Sequence, residues 1–298
     1  MHISGNELRG HLAMLAFSGL VAGSFALGVK VANDITPAAF TLIRFVIAVS
    51  ILATVLLIKT EFTKKVFKAP WRFFVLGGCI AIYFVLMFEG LKIASSVSLA
   101  AVFTFAPLLS GLFGYILVRQ KMSLSIFTAL IIGAIGALWV VFEGNFQRLI
   151  MLEFGLGEMI FFCGVVFHAL YTPLSRKLNR GESPLGFAFA TTLGATVLMI
   201  FYGIGDVYQT DLLNLSWMVW LTLFYTALFA SALTFFLIQY ATLVLPSSKV
   251  MAYTYLVPSW ALMWELGLGQ NISIYNIGLG ILLTIFALVI LLWAPEGV

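Results

Sequence analysis

Charge is scarce in this sequence: Lys and Arg number 16 and Asp and Glu 12 among 298 residues, 9% in all. A water-soluble globule covers its surface with about a quarter charged residues, so a soluble fold is excluded. Cysteine is nearly absent. Cys79 and Cys163 both fall in apolar stretches, which leaves no disulfide framework and no cysteine-rich metal cluster. Histidine is confined to His2, His11 and His168, too few for a paired His/Asp metal site or a nucleophile with its base. An intramembrane enzyme is therefore not expected, and no metal or cofactor is called for. No acid falls at the middle of an apolar run, and the first run has none, so a pump for lipophilic cations would lack its counter-charge. Alternating polarity is missing too: LIIGAIGALWVVF and LGILLTIFALVILLW are continuously apolar, which excludes a β-barrel.

What is present is hydrophobic length. Residues of apolar type make up 62% of the chain, broken by polar or Gly/Pro punctuation into ten runs near 11–31, 37–58, 72–91, 94–118, 123–142, 155–175, 184–203, 216–239, 247–268 and 273–294. A bilayer-spanning helix takes about 20 residues, so ten of them use about 200 and leave short connectors. The expected fold is an all-α integral membrane protein with ten transmembrane helices. The start, MHISGNELRGHLAMLAFSG, has one Arg and no small-residue cleavage site behind a short core, and reads as a retained first span. Distributing the basic residues over the connectors puts Arg9, Lys59, Lys64, Lys65, Lys68, Arg72, Arg119, Lys121, Arg176, Lys177, Arg180 and Lys249 on one side. Only Lys30, Lys92 and Arg148 fall on the other. That asymmetry places both termini in the cytoplasm, and the net charge of +4 reports orientation, not nucleic acid.

The halves of the chain echo each other. TPAAFTLIR from Thr36 aligns with SPLGFAFAT from Ser183, so Pro37 and Phe40 match Pro184 and Phe187. QKMSLSIF from Gln120 lies against QNISIYNI from Gln270, and Ala137-Leu138 against Ala287-Leu288. Ser95-Ser96 and Ser247-Ser248 each precede a mid-run proline, Pro107 or Pro258. The division expected is 1–150 and 151–298, five spans each. An odd number of spans makes the second half enter the membrane from the opposite side, the inverted repeat on which many secondary transporters are built.

At about 1.5 Å per residue, Tyr83, Phe103, Thr104, Tyr225, Tyr253 and Pro258 lie roughly 9 to 17 Å along their spans, near mid-membrane. His168 lies about 20 Å along its span, slightly toward the cytoplasm. A cavity of aromatic faces with a few hydroxyls would take an apolar side chain bearing a polar head, as an amino acid does. The alternative is that these rings pack between helices or face lipid. Pro107 and Pro258 each remove a helix hydrogen bond, which makes them either kinks or cavity-lining breaks. Arg44, the strong charge well inside a span, either fixes the second helix to its neighbours or binds a carboxylate. His168, beside Gly164 and Ala169, either packs neutral between helices or faces the pocket. Lys249 is an interfacial anchor or a ligand at the inner mouth. Gly23 and Gly164 join the prolines as hinge or lining positions. Glu89, Glu158 and Glu265 fall near outer ends, so the energetics favour uniport, with proton coupling through His168 or Glu158 as the alternative.

Ala22-Gly23-Ser24-Phe25, Lys30, Thr36-Pro37 and Leu42-Ile43-Arg44-Phe45, echoed at Gly157, Ala169 and Arg176 and by the run from Pro258 to Gln270, resemble the EamA-type ten-helix branch of the drug/metabolite transporter superfamily. Gln120 and Gln270 stand where many members carry Glu. The fourth span and SSKVMAYTYLVPSW most resemble the YddG-type aromatic amino acid exporters. The resemblance implies a bacterial inner-membrane exporter of aromatic and other apolar amino acids, a monomer working by alternating access on a small-molecule substrate. The same superfamily also contains sugar-phosphate and nucleotide-linked metabolite antiporters, and a lipid-binding or structural membrane protein is the rival from another class.

Overall fold

The computed structural model describes residues 5–59, 68–120, 123–142, 144–151, 154–270 and 274–293. Helix starts follow local chemistry. Thr36 caps α2 (Pro37–Ile58) by accepting the Ala39 N–H at 3.3 Å, and Ser183 caps α9 (Pro184–Gln209) by accepting that of Gly186 at 3.1 Å. In both, proline occupies the first turn, where its missing N–H costs nothing. Ser95, Ser123 and Ser216 do the same for α4 (Ser96–Phe103), α6 (Leu124–Val141) and α10 (Trp217–Ala227). The long helices α1 (Gly5–Val31), α3 (Trp71–Leu91), α8 (Leu156–Leu178) and α14 (Ile274–Trp293) complete the frame, with a short α7 (Phe146–Met151) in the central connector.

Three runs are interrupted. The run from Ser96 to Val118 divides at Thr104-Phe105 into α4 and α5 (Ala106–Val118). The run from Trp217 to Val244 contains a π-helical segment, Leu228–Leu233, between α10 and α11 (Thr234–Val244). The third comprises α12 (Ser247–Ala252), a 3-10 turn at Tyr253–Leu256 and α13 (Val257–Gly267). Among the described residues, nine helices are long and apolar enough to cross a membrane. The run expected as one span at 247–268 is broken by the 3-10 turn and does not form a continuous helix. Pro107 and Pro258 sit in the first turns of α5 and α13, each just beyond its interruption and not in a helix middle.

The helices pack in matched pairs. α2 lies along α9 and α6 along α14; α3 packs on α8 as α1 packs on α10 and α11; α4 meets α13 while α5 meets α12. Glycines permit the close crossings. A Cβ at Gly136 on α6 would come 2.7 Å from the Gly280 carbonyl oxygen on α14. Gly90 on α3 and Gly157 on α8 stand in the same relation, each hypothetical Cβ 2.9 Å from the other's carbonyl. Where lipid removes most of the hydrophobic drive for helix association, such close backbone packing supplies the attraction.

Candidate functional site

The largest core cluster runs through the bundle centre and contains Phe25 of α1, Tyr83 of α3, Phe103 of α4 and Phe161 of α8, which with His168 of α8 form a cage of rings from four elements. The centroid of Tyr83 lies 4.4 Å from that of His168, 5.5 Å from Phe103 and 5.6 Å from Phe161; Phe103 meets His168 edge-on at 4.9 Å. Beside this cage is a small cavity of about 10 Å³ of solvent-sized free space. Phe17, Val21 and Ser24 of α1, Tyr83 and Phe84 of α3, His168 of α8, Ala230 of the π segment, and Thr234 and Phe235 of α11 line it. Its free space holds about one water molecule, so a larger solute requires the helices to separate.

Three polar atoms on this wall are buried and make no hydrogen bond: Ser24 Oγ, Tyr83 Oη and His168 Nδ1. Leaving a buried donor or acceptor unmade costs about 1–3 kcal/mol. Three of them around one hollow make it a place suited to a polar ligand or water.

Arg44 stands immediately behind the wall. Its guanidinium carbon lies 3.6 Å from the centroid of the Phe84 ring. Its Nε donates to Ser231 Oγ at 2.6 Å and its Nη2 to the Ala230 carbonyl at 2.7 Å. That carbonyl lies within the π segment, where wider hydrogen-bond spacing reorders the helix carbonyls. Among the described residues no carboxylate stands within ion-pair distance of Arg44, and Nη1 is buried without a partner. Arg44 therefore ties α2 to the π segment and keeps Nη1 unspent.

Other residues singled out from the sequence lie elsewhere. Phe103 belongs to the ring cage, but the Thr104 hydroxyl turns back to the Ala101 carbonyl at 2.6 Å because the helix ends there. Tyr225 reaches across to the Leu20 carbonyl at 3.0 Å and packs its ring end into the notch left by Gly23. Gly23 is thus a seat for a side chain. Tyr253 meets His11 Nδ1 at 3.0 Å, and Lys249 is buried one helical turn earlier on α12. Gly164 packs α8 against Tyr83 and Leu86 of α3. None of these, nor Pro107 or Pro258, borders the cavity in this conformation.

Opposite ends of α3 carry two polar clasps. Near its last turn, the start of α4 is held by second-half carboxylates: Ser98 Oγ donates to Glu158 Oε1 at 2.6 Å and Ser96 Oγ to Glu265 Oε1. Both carboxylates sit at the helix N-terminus, where its dipole favours them. At the first turn of α3, the buried Arg72 pairs with Glu182 at 2.7 Å and donates to the carbonyls of Lys68, Ala69 and Leu178. Glu182 lies in the connector between α8 and α9, outside the spans. Burial alone would raise its carboxyl; the hydrogen bonds from Arg72 and from the Arg180 N–H outweigh this and hold it below the usual carboxylate range.

Sequence reasoning missed Ser24 as a wall residue, although its motif was noted, and missed Phe84, Ala230, Ser231, Thr234 and the Arg72–Glu182 pair. The small-residue run Ala230-Ser231-Ala232 is the signal for a site where an arginine could dock, and Glu182 lies two residues from Arg180 in a basic connector.

The sequence pattern of the EamA-like transporter family matches this chain twice, over residues 8–142 and 155–293. An uncharacterized transporter, YyaM, of Bacillus subtilis (strain 168) is 24% identical over 269 residues, 90% of this chain and 88% of that one. A solved crystal structure superposes with a TM-score of 0.74 over 97% of this chain and 98% of that one, at 17% identity, which bears on the fold alone.

Proposed function

Because the chain belongs to the EamA-like transporter family, a family of multi-pass membrane transporters and not of enzymes, we propose that it is a secondary transporter exporting aromatic and other apolar amino acids. The observation that carries this reading is the cavity itself. Aromatic rings surround it on three helices, and three unsatisfied polar atoms face a space between elements of both halves. Rings accommodate an apolar side chain and the polar atoms its head group.

The mechanism we infer is alternating access by two inverted five-helix repeats, with residues 247–267 crossing as the tenth span. The matched helix pairs, the Thr36-Pro37 and Ser183-Pro184 caps, and the interruptions of the fourth and ninth runs support it. Both termini are cytoplasmic in this reading, by the bias of basic connectors, and the monomer resides in a bacterial inner membrane. In that orientation the serine–glutamate clasp closes the outer face and the Arg72–Glu182 pair the inner one. The described residues lining the cavity include no acid that a proton and a solute could occupy in turn, which favours uniport.

The test is purified protein in liposomes with labelled phenylalanine or tryptophan. Equilibration faster than in empty vesicles is expected, without uphill accumulation under an imposed pH gradient. Flux no faster than in empty vesicles ends the amino-acid assignment, and proton-driven accumulation ends the uniport mechanism.

A further inference from the structure

The described residues of the cavity wall include no acidic side chain, and Arg44, which has no ion-pair partner among the described residues, stands directly behind it. We propose that the cavity recognises its solute through a carboxylate and not through an ammonium group, so that aromatic monocarboxylates without an amino group, such as 3-phenylpropanoate, are ligands of the same site. This rests on the reading of the cavity as the transport site and enlarges the class of solute it takes.

Four unspent groups carry the inference. Ser24 and Tyr83 present hydroxyls that can each donate one O–H, and His168 Nδ1 donates in one of its neutral tautomers. Arg44 holds Nη1 in reserve, one ring away across Phe84. A carboxylate offers two oxygens with about four acceptor sites and can absorb the three donors of the wall, while Arg44 behind Phe84 acts on it through its charge. An ammonium group is donor-only. On this wall it would find hydroxyl oxygens and one ring nitrogen, no carboxylate, and the repulsion of a guanidinium in a low-dielectric interior where charge is weakly screened. The Ala230 carbonyl accepts from Arg44 Nη2, so an ammonium using the oxygen's second lone pair would sit beside the guanidinium. With a single cation beside it the cavity suits a monoanion; a phosphate monoester would normally recruit two or more.

The test uses full-length protein in detergent, with thermal stabilisation as the readout and 3-phenylpropanoate, phenylalanine and phenethylamine as probes. Competition against labelled phenylalanine flux in liposomes follows. The expected result is that 3-phenylpropanoate stabilises at least as well as phenylalanine, while phenethylamine needs at least about tenfold more ligand. Tyr83→Phe and Ser24→Ala, which remove unpaired hydroxyls and break no hydrogen bond, should narrow that difference without loss of folded protein. Equal stabilisation by amine and carboxylate, or by neither, overturns the proposal even if phenylalanine flux is normal. If phenylalanine is not transported yet 3-phenylpropanoate stabilises and phenethylamine does not, the amino-acid reading fails and the carboxylate preference stands.

Discussion

Tyr83 shows how a single residue can be poorly satisfied and useful at once. Its ring contacts Phe84, Phe103, Phe161 and His168, yet its hydroxyl is buried without a partner. Tyr83→Phe should therefore leave the empty protein as stable as the parent or more so, by about 1 kcal/mol, while raising KM for transport. Loss of stability would show that the hydroxyl is bonded. Arg44 behaves oppositely. Arg44→Gln forfeits the cation and the contact with Phe84 and leaves Ser231 and Ala230 without their donor, so folded yield should fall. Arg44→Lys keeps the charge but cannot reproduce the planar fork that serves Ser231 and Ala230 together, and it should recover only part of that yield. The importance of Arg44 was legible from its depth in an apolar run. Its partners lie more than 180 residues away in the chain on a π segment, and no local pattern announces them.

At the level of the element, the first turn of α4 is the clearest polar contact between the two halves of the chain. Each serine hydroxyl meets an acceptor from the other half of the chain, and hydrogen bonds to charged groups contribute about 1.5–3 kcal/mol each. The double variant Glu158→Ala/Glu265→Ala should speed hydrogen exchange of the first α4 amides at least about tenfold. Glu265→Gln, which retains an acceptor oxygen, should not; equal exchange in both variants would remove the clasp from the account. Several helix starts fall close to the ends of the apolar runs because the polar residues there, Thr36, Ser95, Ser123, Ser183 and Ser216, are the caps. The interruptions were readable only to within a few residues. Proline marks the first turn of the following helix, so reading Pro107 and Pro258 as mid-helix breaks placed each discontinuity too far along the chain. Gly136→Leu should cost about 1–3 kcal/mol, the usual penalty for overpacking, because the Gly280 backbone occupies the space the side chain would need.

For the whole molecule, the Arg72–Glu182 pair ties the start of α3 to the α8–α9 connector. A carboxyl held below its ordinary range contributes stability that is complete above the unfolded value and disappears as pH falls through the folded one. The thermal midpoint should therefore decline below about pH 4 in the parent, and the Glu182→Gln variant should be less stable at pH 7 and show a shallower decline. An unchanged pH profile in the variant would separate the pair from acid stability. The membrane class and the all-helical architecture follow from properties averaged over many residues, which explains why they were visible in the sequence. The cavity depends on which few side chains converge from α1, α3, α8 and α11, and helical periodicity leaves that choice open when nearly every face is apolar.

The central claim is that one chamber serves both faces of the membrane. With Cys79 and Cys163 replaced by alanine, Ser24→Cys provides a reporter on the chamber wall, read with a membrane-impermeant maleimide in right-side-out and inside-out vesicles. The account expects labelling from both faces, slowed by phenylalanine in each case. Labelling confined to one face, or indifferent to the solute from either, would contradict it.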